Sequence, residues 1–408
     1  MNTQLFENPF RPGAGHQPPY LAGRTTETSE ICKYLGQNTV TQNVILTGLR
    51  GVGKTVLLES IKPIAQKLGW LWTNSDMSET ASISEANMVT RILTDISLIT
   101  SGFTISEHIE STTGFINQKT TVKNTLNSSV LESIYNKTPG LSSDKLKKVI
   151  EMVWNIIKTI NGVKGIVFAY DEAQNLCDHA EKDQYPLSIL LEVFQSLQRK
   201  NIPVLLIMTG LPTLFPKLVD TRTYAERMFH VIFLKHLDKS SAKEAILKPI
   251  ESSNSPIKFT NEAVDTIIDI SGCYPYFIQY ICKEVYDIWV TKIKLNEIPS
   301  VPVEDILYKL DIDFFQGRWM KATDRQRELL TVISTLDNCD DEFSVQDIVV
   351  HSKQAKTKAF SSSAANQMLS ALSNAGLVFK NRFGKYSLAV PLLAQFIKRQ
   401  NNLHAASR

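Results

Sequence analysis

A short glycine-rich segment constrains this chain more than any other part of its sequence. Residues 48–55 read Gly-Leu-Arg-Gly-Val-Gly-Lys-Thr and fit the pattern GxxxxGK[ST]. The apolar run Val44–Thr47 predicts a strand before the segment, and Lys54–Leu68 has helical spacing after it. Such a loop turns successive backbone N–H groups toward phosphate oxygens, and the following helix adds the positive end of its dipole. The segment therefore predicts a phosphate site, against the alternative of a glycine-rich turn that binds nothing.

The residue types in this loop indicate separate tasks at such a site. Lys54 is expected to reach the β- and γ-phosphates of ATP, or the β-phosphate of ADP, and the Thr55 hydroxyl is expected to bind Mg²⁺. The loop residues that we expect to contact the nucleotide are Gly48, Gly51, Val52, Gly53, Lys54, Thr55 and Val56.

Two acids follow a second predicted strand. The apolar run Gly165–Tyr170 ends in Asp171 and Glu172, which would lie at the carboxyl edge of a sheet, where open α/β sheets bind ligands. We expect Asp171 to hold Mg²⁺ and Glu172 to act as the general base on water. Alone, the pair is equally consistent with a strand that ends in an acidic turn.

Thr209 closes the next predicted strand, Val204–Thr209, before Gly210-Leu211-Pro212. If the two strands are neighbours, its hydroxyl lies beside the acids and can bond the attacking water or the γ-phosphate. The alternative is a β-branched residue that merely ends a strand.

Apolar strands alternate with helices up to about residue 238, which predicts an α/β fold with a parallel sheet covered on both faces. Residues 79–100 have helical spacing, with Ile83, Met88, Ile92 and Ile96 on one face. Residues 101–143 are rich in Ser, Thr and Asn, lack a strong periodicity, and predict a partly flexible insertion. Residues 240–310 are mostly helical in pattern.

The last part of the chain is basic. Residues 318–408 hold thirteen Lys and Arg against seven Asp and Glu, a net charge of +6 within a chain of +3. Three predicted helices, Asp324–Leu336, Ser344–Val350 and Ser362–Asn374, precede two short strands around Asn381-Arg382-Phe383-Gly384. This order looks like a winged helix-turn-helix domain.

Two kinds of partner remain open for this module. The start of the third helix, with Ser361, Ser362, Ser363 and Asn366, could enter a DNA major groove, while Lys380, Arg382 and Lys385 grip phosphates. The helix carries no arginine, however, and winged helices also bind proteins.

Composition excludes several other classes of protein. Hydrophobic residues make up 43% and charged residues 21% of the 408, which is ordinary globular usage. The five cysteines form no CxxC pair and the seven histidines show no metal spacing. The N-terminal segment is polar and proline-rich, and the apolar runs are short of a membrane span. We expect a cytoplasmic protein with no membrane association.

Together these motifs resemble those of the AAA+ ATPases, in particular the initiator-like and archaeal-type group near the STAND signalling ATPases. The resemblance covers about residues 18–400. It rests on five features: Leu21-Ala22-Gly23-Arg24, the loop 48–55, the Asp171-Glu172 pair, Thr209-Gly210-Leu211-Pro212 and Arg227. It implies a five-stranded sheet, a helical lid and ATP between them, with Leu21 and Gly23-Arg24 near the adenine and ribose.

The resemblance also gives Arg227 a role across subunits. Arg227 would stabilise the γ-phosphate charge in a neighbouring copy of the chain. A surface ion pair with Glu226 or Asp220 is the alternative, and Arg222 is a second candidate for the same role.

The lid departs from the pattern of many AAA+ proteins. They carry an arginine at the start of a lid helix, where this chain has Gly272-Cys273-Tyr274-Pro275. Pro275 would lie near the adenine or phosphate, as in the signalling group, or is simply the first residue of a helix. The departure implies slow hydrolysis.

These expectations give four segments: an extended arm over 1–20, a nucleotide-binding α/β domain over 21–238 with an insertion at about 101–143, a helical lid over 239–317, and a winged helix domain over 318–408. The first functional hypothesis is an ATP-hydrolysing protein that uses nucleotide-dependent homo-oligomerisation as a switch and acts on or with DNA through the winged helix domain. The second is a signalling or defence ATPase that controls a protein partner. A metabolic P-loop kinase is a third, which no substrate-site pattern supports.

Overall fold

The strands account for much of the expected α/β pattern. The computed structural model describes residues 7–13, 15–113, 116–253, 255–294, 300–354, 358–382 and 384–406. Residues 1–6 and 14 of the predicted arm, and 114 and 115 of the predicted insertion, lie outside this description. The strands are β1 (Asn43–Gly48), β2 (Trp70–Asp76), β3 (Thr104–Thr113), β4 (Ile116–Thr125), β5 (Gly165–Asp171), β6 (Val204–Gly210), β7 (Phe229–Leu234), β8 (Phe343–Ser344), β9 (Val378–Arg382) and β10 (Lys385–Leu388).

The helices fall into two runs along the chain. The first run is α1 (Thr25–Gly36), α2 (Lys54–Lys67), α3 (Glu85–Thr100), α4 (Ser128–Lys137), α5 (Ser142–Ile157), α6 (Pro186–Arg199), α7 (Leu214–Thr221) and α8 (Ala225–Met228). The second run is α9 (Lys239–Glu251), α10 (Asn261–Ser271), α11 (Pro275–Lys294), α12 (Val303–Leu310), α13 (Gly317–Trp319), α14 (Asp324–Ser334), α15 (Val345–Ser352), α16 (Ser362–Asn374) and α17 (Leu393–Ala406), with a π-helix at Asp311–Gln316. None of the described helices is both long and apolar enough to cross a bilayer.

The chain divides into two compact units. One, here called the sheet unit, comprises Thr26–Thr47 and Leu57–Phe233. The other, here called the helical unit, comprises Met1–Thr25, Gly48–Val56 and Leu234–Arg408. The boundaries of the four predicted segments stay predictions. These segments are 1–20, 21–238, 239–317 and 318–408.

A five-stranded sheet in the order β2-β5-β6-β1-β7 organises the sheet unit. The pairs β2–β5, β5–β6 and β6–β1 are parallel. Every residue of β5 and of β6 is buried, as a sheet covered on both faces requires. On one face the Phe168 ring meets the Phe194 ring of α6 edge-on at 5.0 Å between centroids. The parallel sheet predicted from the alternating apolar runs is confirmed.

The segment 101–143, predicted as an insertion, contains two strands and a helix that the sequence pattern did not predict. β3 and β4 pair antiparallel along their full length, from Thr104 opposite Thr125 to Thr113 opposite Ile116, and α4 follows. These strands are rich in Thr, whose branched β-carbon favours extended backbone, yet they have few apolar residues. A search for alternating apolar residues therefore misses them.

The helical spacing assigned to 79–100 is correct from Glu85 onward and wrong at its start. Glu79–Ser82 is a short 3-10 helix, and Ser84 caps α3 by accepting a hydrogen bond from the Asn87 backbone N–H. Met88, Ile92 and Ile96 are buried as expected, whereas Ile83 is 56% exposed because it precedes the helix.

The helical unit has a continuous core that runs from α9 to α17. Phe277 of α11 packs against Phe314 at 4.9 Å, and Phe315 stacks on Phe396 of α17 at 5.0 Å between ring centroids. Arg399 of α17 also donates two hydrogen bonds to the Asp311 carboxylate. The region after α12 is thereby packed into the same core as the preceding helices.

The N-terminal arm is anchored to the same unit without helix or strand. Phe10 is 3% exposed, and its ring is parallel to that of Phe259 at 6.1 Å between centroids. The Asn8 amide donates to the Lys283 carbonyl of α11 at 3.0 Å. Burial of one aromatic side chain fixes the arm where its proline residues prevent ladder pairing.

Candidate functional site

The loop between β1 and α2 has the backbone that phosphate binding requires. Gly51 and Gly53 have φ of 78° and 91°, a region that residues with a β-carbon rarely adopt. A β-carbon on Gly51 would lie 2.9 Å from that of Tyr276, and one on Gly48 would lie 2.4 Å from the Leu234 carbonyl oxygen. Glycine is therefore required here by conformation and by space. α2 begins directly after the loop at Lys54.

Lys54 and Arg24 both bond to backbone carbonyls of this region. The Lys54 ammonium donates to the Gly48 carbonyl at 3.0 Å and to the Leu49 carbonyl at 2.9 Å. Arg24 is 5% exposed and donates to the carbonyls of Val52, at 2.9 Å, and Lys235, at 2.7 Å. Arg24 thus fixes the loop against the chain after β7, a positioning contact that the sequence did not indicate.

The other predicted nucleotide contacts are distributed around the loop. Val52 is 1% exposed, and Leu21, Thr55, Val56 and Pro275 are partly exposed. The Val56 carbonyl accepts a hydrogen bond from the Gln17 amide of the arm at 2.9 Å.

Helix α11 contacts the loop directly. Pro275 is the first residue of α11, and the Tyr276 backbone N–H beside it donates to the Gly51 carbonyl at 3.1 Å. Gly272 and Cys273 ahead of the helix have φ of 55° and 60°, so the chain turns sharply there. This turn sets the start of α11 on the phosphate loop.

In the sheet unit, the acids at the end of β5 are held by specific bonds. Asp171 is 7% exposed and accepts hydrogen bonds from the Thr209 hydroxyl and, at 2.8 Å, from the Glu172 backbone N–H. Glu172 is exposed and has a left-handed backbone with φ of 50°. The structure therefore brings Thr209 to Asp171, as the neighbouring strands predict.

Gln174 connects Glu172 to the loop that follows β6. Its amide N–H donates to the Glu172 carboxylate, and its carbonyl oxygen accepts from the Leu211 backbone N–H at 3.1 Å. One side chain thus orients the candidate base from a neighbouring segment. No pattern along the chain indicated this role, because a glutamine two residues after an acid has many structural uses.

Asp76 is a third carboxylate at this edge, and the sequence analysis missed it. It ends β2 directly opposite Asp171 in the parallel register. Burial, and then the negative charges of Asp171 and Glu172, raise the pKa of Asp76. Among the described residues no group of three His, Cys, Asp or Glu side chains is placed to hold a metal by itself. Mg²⁺ at a nucleotide site takes one or two carboxylates together with phosphate oxygens and waters, and Asp171 fits that smaller role. Asp76 follows the predicted strand Trp70–Asn74, and that position was a signal in the sequence. The pairing of β2 with β5, which places Asp76 opposite Asp171, could not be predicted from the sequence.

Arg227 lies on the short helix α8, in a pocket of about 420 Å³ that Arg199, Gln195, Gln198 and Tyr224 also line. Among the described residues it forms no ion pair with Glu226 or Asp220, the partners of the alternative interpretation. Arg222 lines a neighbouring pocket of about 490 Å³ with Glu192 and Asp220.

The C-terminal region has the predicted order of three helices and a hairpin. α14, α15 and α16 precede a sheet in the order β8-β10-β9, in which Lys380 pairs with Tyr386 and Arg382 with Lys385. The side chain of Arg382 and all of Phe383 lie outside the description. The three predicted basic residues are therefore neighbours in the hairpin register.

Two of the side chains predicted to contact a DNA groove form hydrogen bonds within the start of α16 itself. The Ser361 hydroxyl caps the helix by accepting from the Ala364 backbone N–H at 3.2 Å, and the Asn366 amide donates to the Ser362 carbonyl at 3.0 Å. Ser361 and Asn366 thus stabilise the start of α16 itself.

Two solved structures of the ORC2 protein of Aeropyrum pernix are similar to this chain. The one with ADPNP and ADP is 14% identical and covers 97% of each chain with a TM-score of 0.56. The ADP form is 14% identical and covers 97% of each chain with a TM-score of 0.55. A family model described as a domain of unknown function, DUF8462, matches residues 312–397. No curated protein matches the sequence significantly.

The fold is that of an α/β protein in which a glycine-rich loop joins a parallel strand to the next helix. More particularly, the chain has the fold of the ORC2 structures, so the resemblance seen in the sequence is confirmed at the level of the fold.

Replacing Asp76 by Asn should stabilise the protein at about pH 7 in the presence of a chelator. Because the fold raises the pKa of Asp76, its ionisation costs stability above that pKa, and the cost disappears as the pH falls toward about 4. Urea unfolding at both pH values measures the difference. Asp265→Asn, at an exposed position of α10, is the control. If the Asp76→Asn protein were less stable than wild type at neutral pH, the claim that burial and the neighbouring acids disfavour the ionised form of Asp76 would be wrong.

Proposed function

We propose that this chain binds ATP with Mg²⁺ and hydrolyses it slowly. The observation that carries the proposal is the backbone of the loop 48–53. The positive φ angles of Gly51 and Gly53 turn this loop sharply just before α2 begins. The positive end of a helix and converging N–H groups form a site for phosphate. The similar fold of ORC2, a protein solved with ADPNP and ADP, supports a nucleotide as the ligand.

We assign roles to the site residues from their positions at the ends of the parallel strands. β1 leads into the loop and β5 ends in the acids, and open parallel sheets bind ligands at their carboxyl edge. We assign the loop N–H groups and Lys54 to the phosphates, and Thr55 and Asp171 to Mg²⁺. The metal, when bound, neutralises charge on the phosphates. Asp76 contributes a further carboxylate to that end of the sheet.

Glu172 is the general base of the proposed reaction. It is exposed, and the Gln174 amide orients its carboxylate. A carboxylate in this position takes a proton from the attacking water. Thr209 holds Asp171 through its hydroxyl, so we assign it to positioning of the metal ligand in addition to the predicted contact with water or phosphate.

Two substitutions separate binding from hydrolysis. Lys54→Ala should weaken ATP binding by about 100-fold, because a cation bonded to phosphate is lost. Glu172→Gln should bind ATP normally and lower kcat by about 100-fold or more. Calorimetry and a phosphate-release assay measure the two effects, with Lys67→Ala at the far end of α2 as the matched control. Normal hydrolysis by Glu172→Gln would show that another group is the base.

We further propose that copies of the chain assemble and that Arg227 completes the site of a neighbour. Its position in an open pocket, without an ion pair to Glu226 or Asp220 among the described residues, supports this role. An arginine supplied in trans stabilises charge on the transferred phosphate.

A mixing experiment tests the assembly. Arg227→Ala should lower kcat by about 1000-fold. Arg227→Ala subunits retain the base and Glu172→Gln subunits retain the arginine, so an equal mixture should hydrolyse ATP faster than either variant alone. A mixture that is no faster would argue against a trans arginine. Arg222→Ala in place of Arg227→Ala tests the second candidate.

The C-terminal hairpin is proposed as a DNA contact within a winged helix domain. Lys380, Arg382 and Lys385 share its register, and residues 318–408 have a net charge of +6 in a chain whose net charge is +3. Cations on such a hairpin bind phosphates of a duplex irrespective of sequence.

Replacing Lys380 and Lys385 by Ala should weaken duplex binding and reduce the slope of log K against log salt by about 2, since two phosphate contacts are lost. Fluorescence anisotropy with labelled duplex and ATP at several salt concentrations measures it. Lys398→Ala on α17 is the control. If wild-type protein binds no duplex at low salt, the DNA proposal fails and a protein partner becomes the better explanation.

A further inference from the structure

The thiol of Cys177 lies among polar side chains that the proposed reaction does not use. Cys177 and His179 follow the short 3-10 helix Ala173–Asn175, and Ser82 ends another short 3-10 helix. All of these residues belong to the sheet unit. Cys177 and His179 are partly exposed, whereas Ser82 is 2% exposed. Two segments that are distant in sequence thus place a serine and a histidine around one accessible sulfur.

The position of His179 fixes a hydrogen-bond donor beside this sulfur. Its Nε2 lies 2.8 Å from the Ser82 carbonyl oxygen and 3.6 Å from the Cys177 Sγ. Because a carbonyl oxygen only accepts hydrogen bonds, this nitrogen carries the proton, and the same N–H lies within reach of the sulfur. On the far side of the ring, Nδ1 lies 3.8 Å from the Glu181 carboxylate, which balances the charge when the imidazole is protonated. His179 is therefore a donor to the sulfur and not its base.

Ser82 holds the backbone of Cys177 and also reaches its sulfur. The Ser82 hydroxyl accepts a hydrogen bond from the Cys177 backbone N–H at 2.8 Å and donates to the Cys177 carbonyl at 3.0 Å. The same hydroxyl oxygen lies 3.6 Å from Sγ, so its proton has a second acceptor in the sulfur. The two backbone bonds fasten the segments together without the thiol. The sulfur thus faces two donors and is not needed to hold the segments.

The acid next to Cys177 in sequence is directed to another element. Asp178 accepts hydrogen bonds from the backbone N–H groups of Leu187 and Ser188, at 2.9 and 3.0 Å, at the start of α6. Its charge is thus engaged by the positive end of a helix. The thiolate is the nucleophilic form of cysteine, and hydrogen-bond donors and a nearby imidazolium favour it. The surroundings of Cys177 therefore favour the nucleophilic form.

The other four cysteines differ from Cys177 in exposure or in pKa. Cys273, Cys282 and Cys339 are buried. Cys32 on α1 is partly exposed, as Cys177 is, but burial raises the pKa of its thiol and so favours the unreactive protonated form. Cys32 is therefore a comparison within the same molecule for a thiol of the same exposure class.

We propose that Cys177 is a reactive thiol that hydrogen peroxide oxidises to a sulfenic acid, with His179 and Ser82 stabilising its thiolate. The sulfur forms a bond to one oxygen of the peroxide, the O–O bond breaks, and the departing hydroxide takes a proton and becomes water. The sulfur is oxidised by two electrons and the peroxide is reduced. The reaction needs no nucleotide, so the inference goes beyond the proposed function.

Alkylation of the full chain by iodoacetamide, followed by mass spectrometry, measures the nucleophilicity of each thiol. Cys177 should react at least about 10-fold faster than Cys32 in the same sample, because a hydrogen bond to a charged group is worth a factor of that order. His179→Ala should lower the rate at Cys177 by about 10-fold and leave Cys32 unchanged. Loss of the imidazole also opens space around the sulfur, so an effect of access alone would raise the rate.

Two further measurements complete the test. Glu181→Gln changes an exposed position and should slow the alkylation of Cys177 by about 2- to 3-fold, because the imidazolium loses its partner. It decides the role of His179 if circular dichroism shows that His179→Ala does not fold. Dilute hydrogen peroxide followed by dimedone, which traps sulfenic acids, should label Cys177 and leave Cys32 unlabelled.

The inference is overturned if Cys177 of the wild-type protein reacts no faster than Cys32 or is not labelled by dimedone. It is also overturned if His179→Ala leaves the rate at Cys177 unchanged or raises it. A chain that binds no nucleotide would contradict the proposed function and leave these rates as they are, so the two failures are distinguishable.

Discussion

The functional interpretation depends on the backbone of one loop. A buried parallel strand ends at Gly48, and Gly51 and Gly53 then take a left-handed conformation before α2 begins. This turn directs N–H groups inward at the positive end of a helix. Its glycines also leave room for Tyr276 and for the Leu234 carbonyl to approach. The same residues thus give the loop its shape and allow the lid helix to start beside it.

The carboxylates depend on strand register in a similar way. Parallel pairing places Asp76 opposite Asp171, and β6 brings the Thr209 hydroxyl to the same carboxylate. Gln174 then holds Glu172 from the segment after β6. The metal and base functions that we propose therefore need the whole sheet, although each side chain lies at the end of a single strand.

Local sequence patterns predicted the parts that depend on neighbours along the chain. The apolar runs predicted β5 and β6, and the glycine pattern predicted the loop and the start of α2. The hairpin β3–β4 was missed because threonine-rich strands lack an apolar alternation. Asp76 and Gln174 were missed because their contacts depend on pairing or packing between segments that are distant along the chain.

A titration of wild-type protein with adenine and guanine nucleotides tests the central claim most directly. We expect saturable binding of both ATP and ADP, and we expect Mg²⁺ to strengthen the binding of ATP. If the heat and the fluorescence show no saturable change up to about 1 mM nucleotide, the dissociation constant would lie above that level and the central claim would be contradicted.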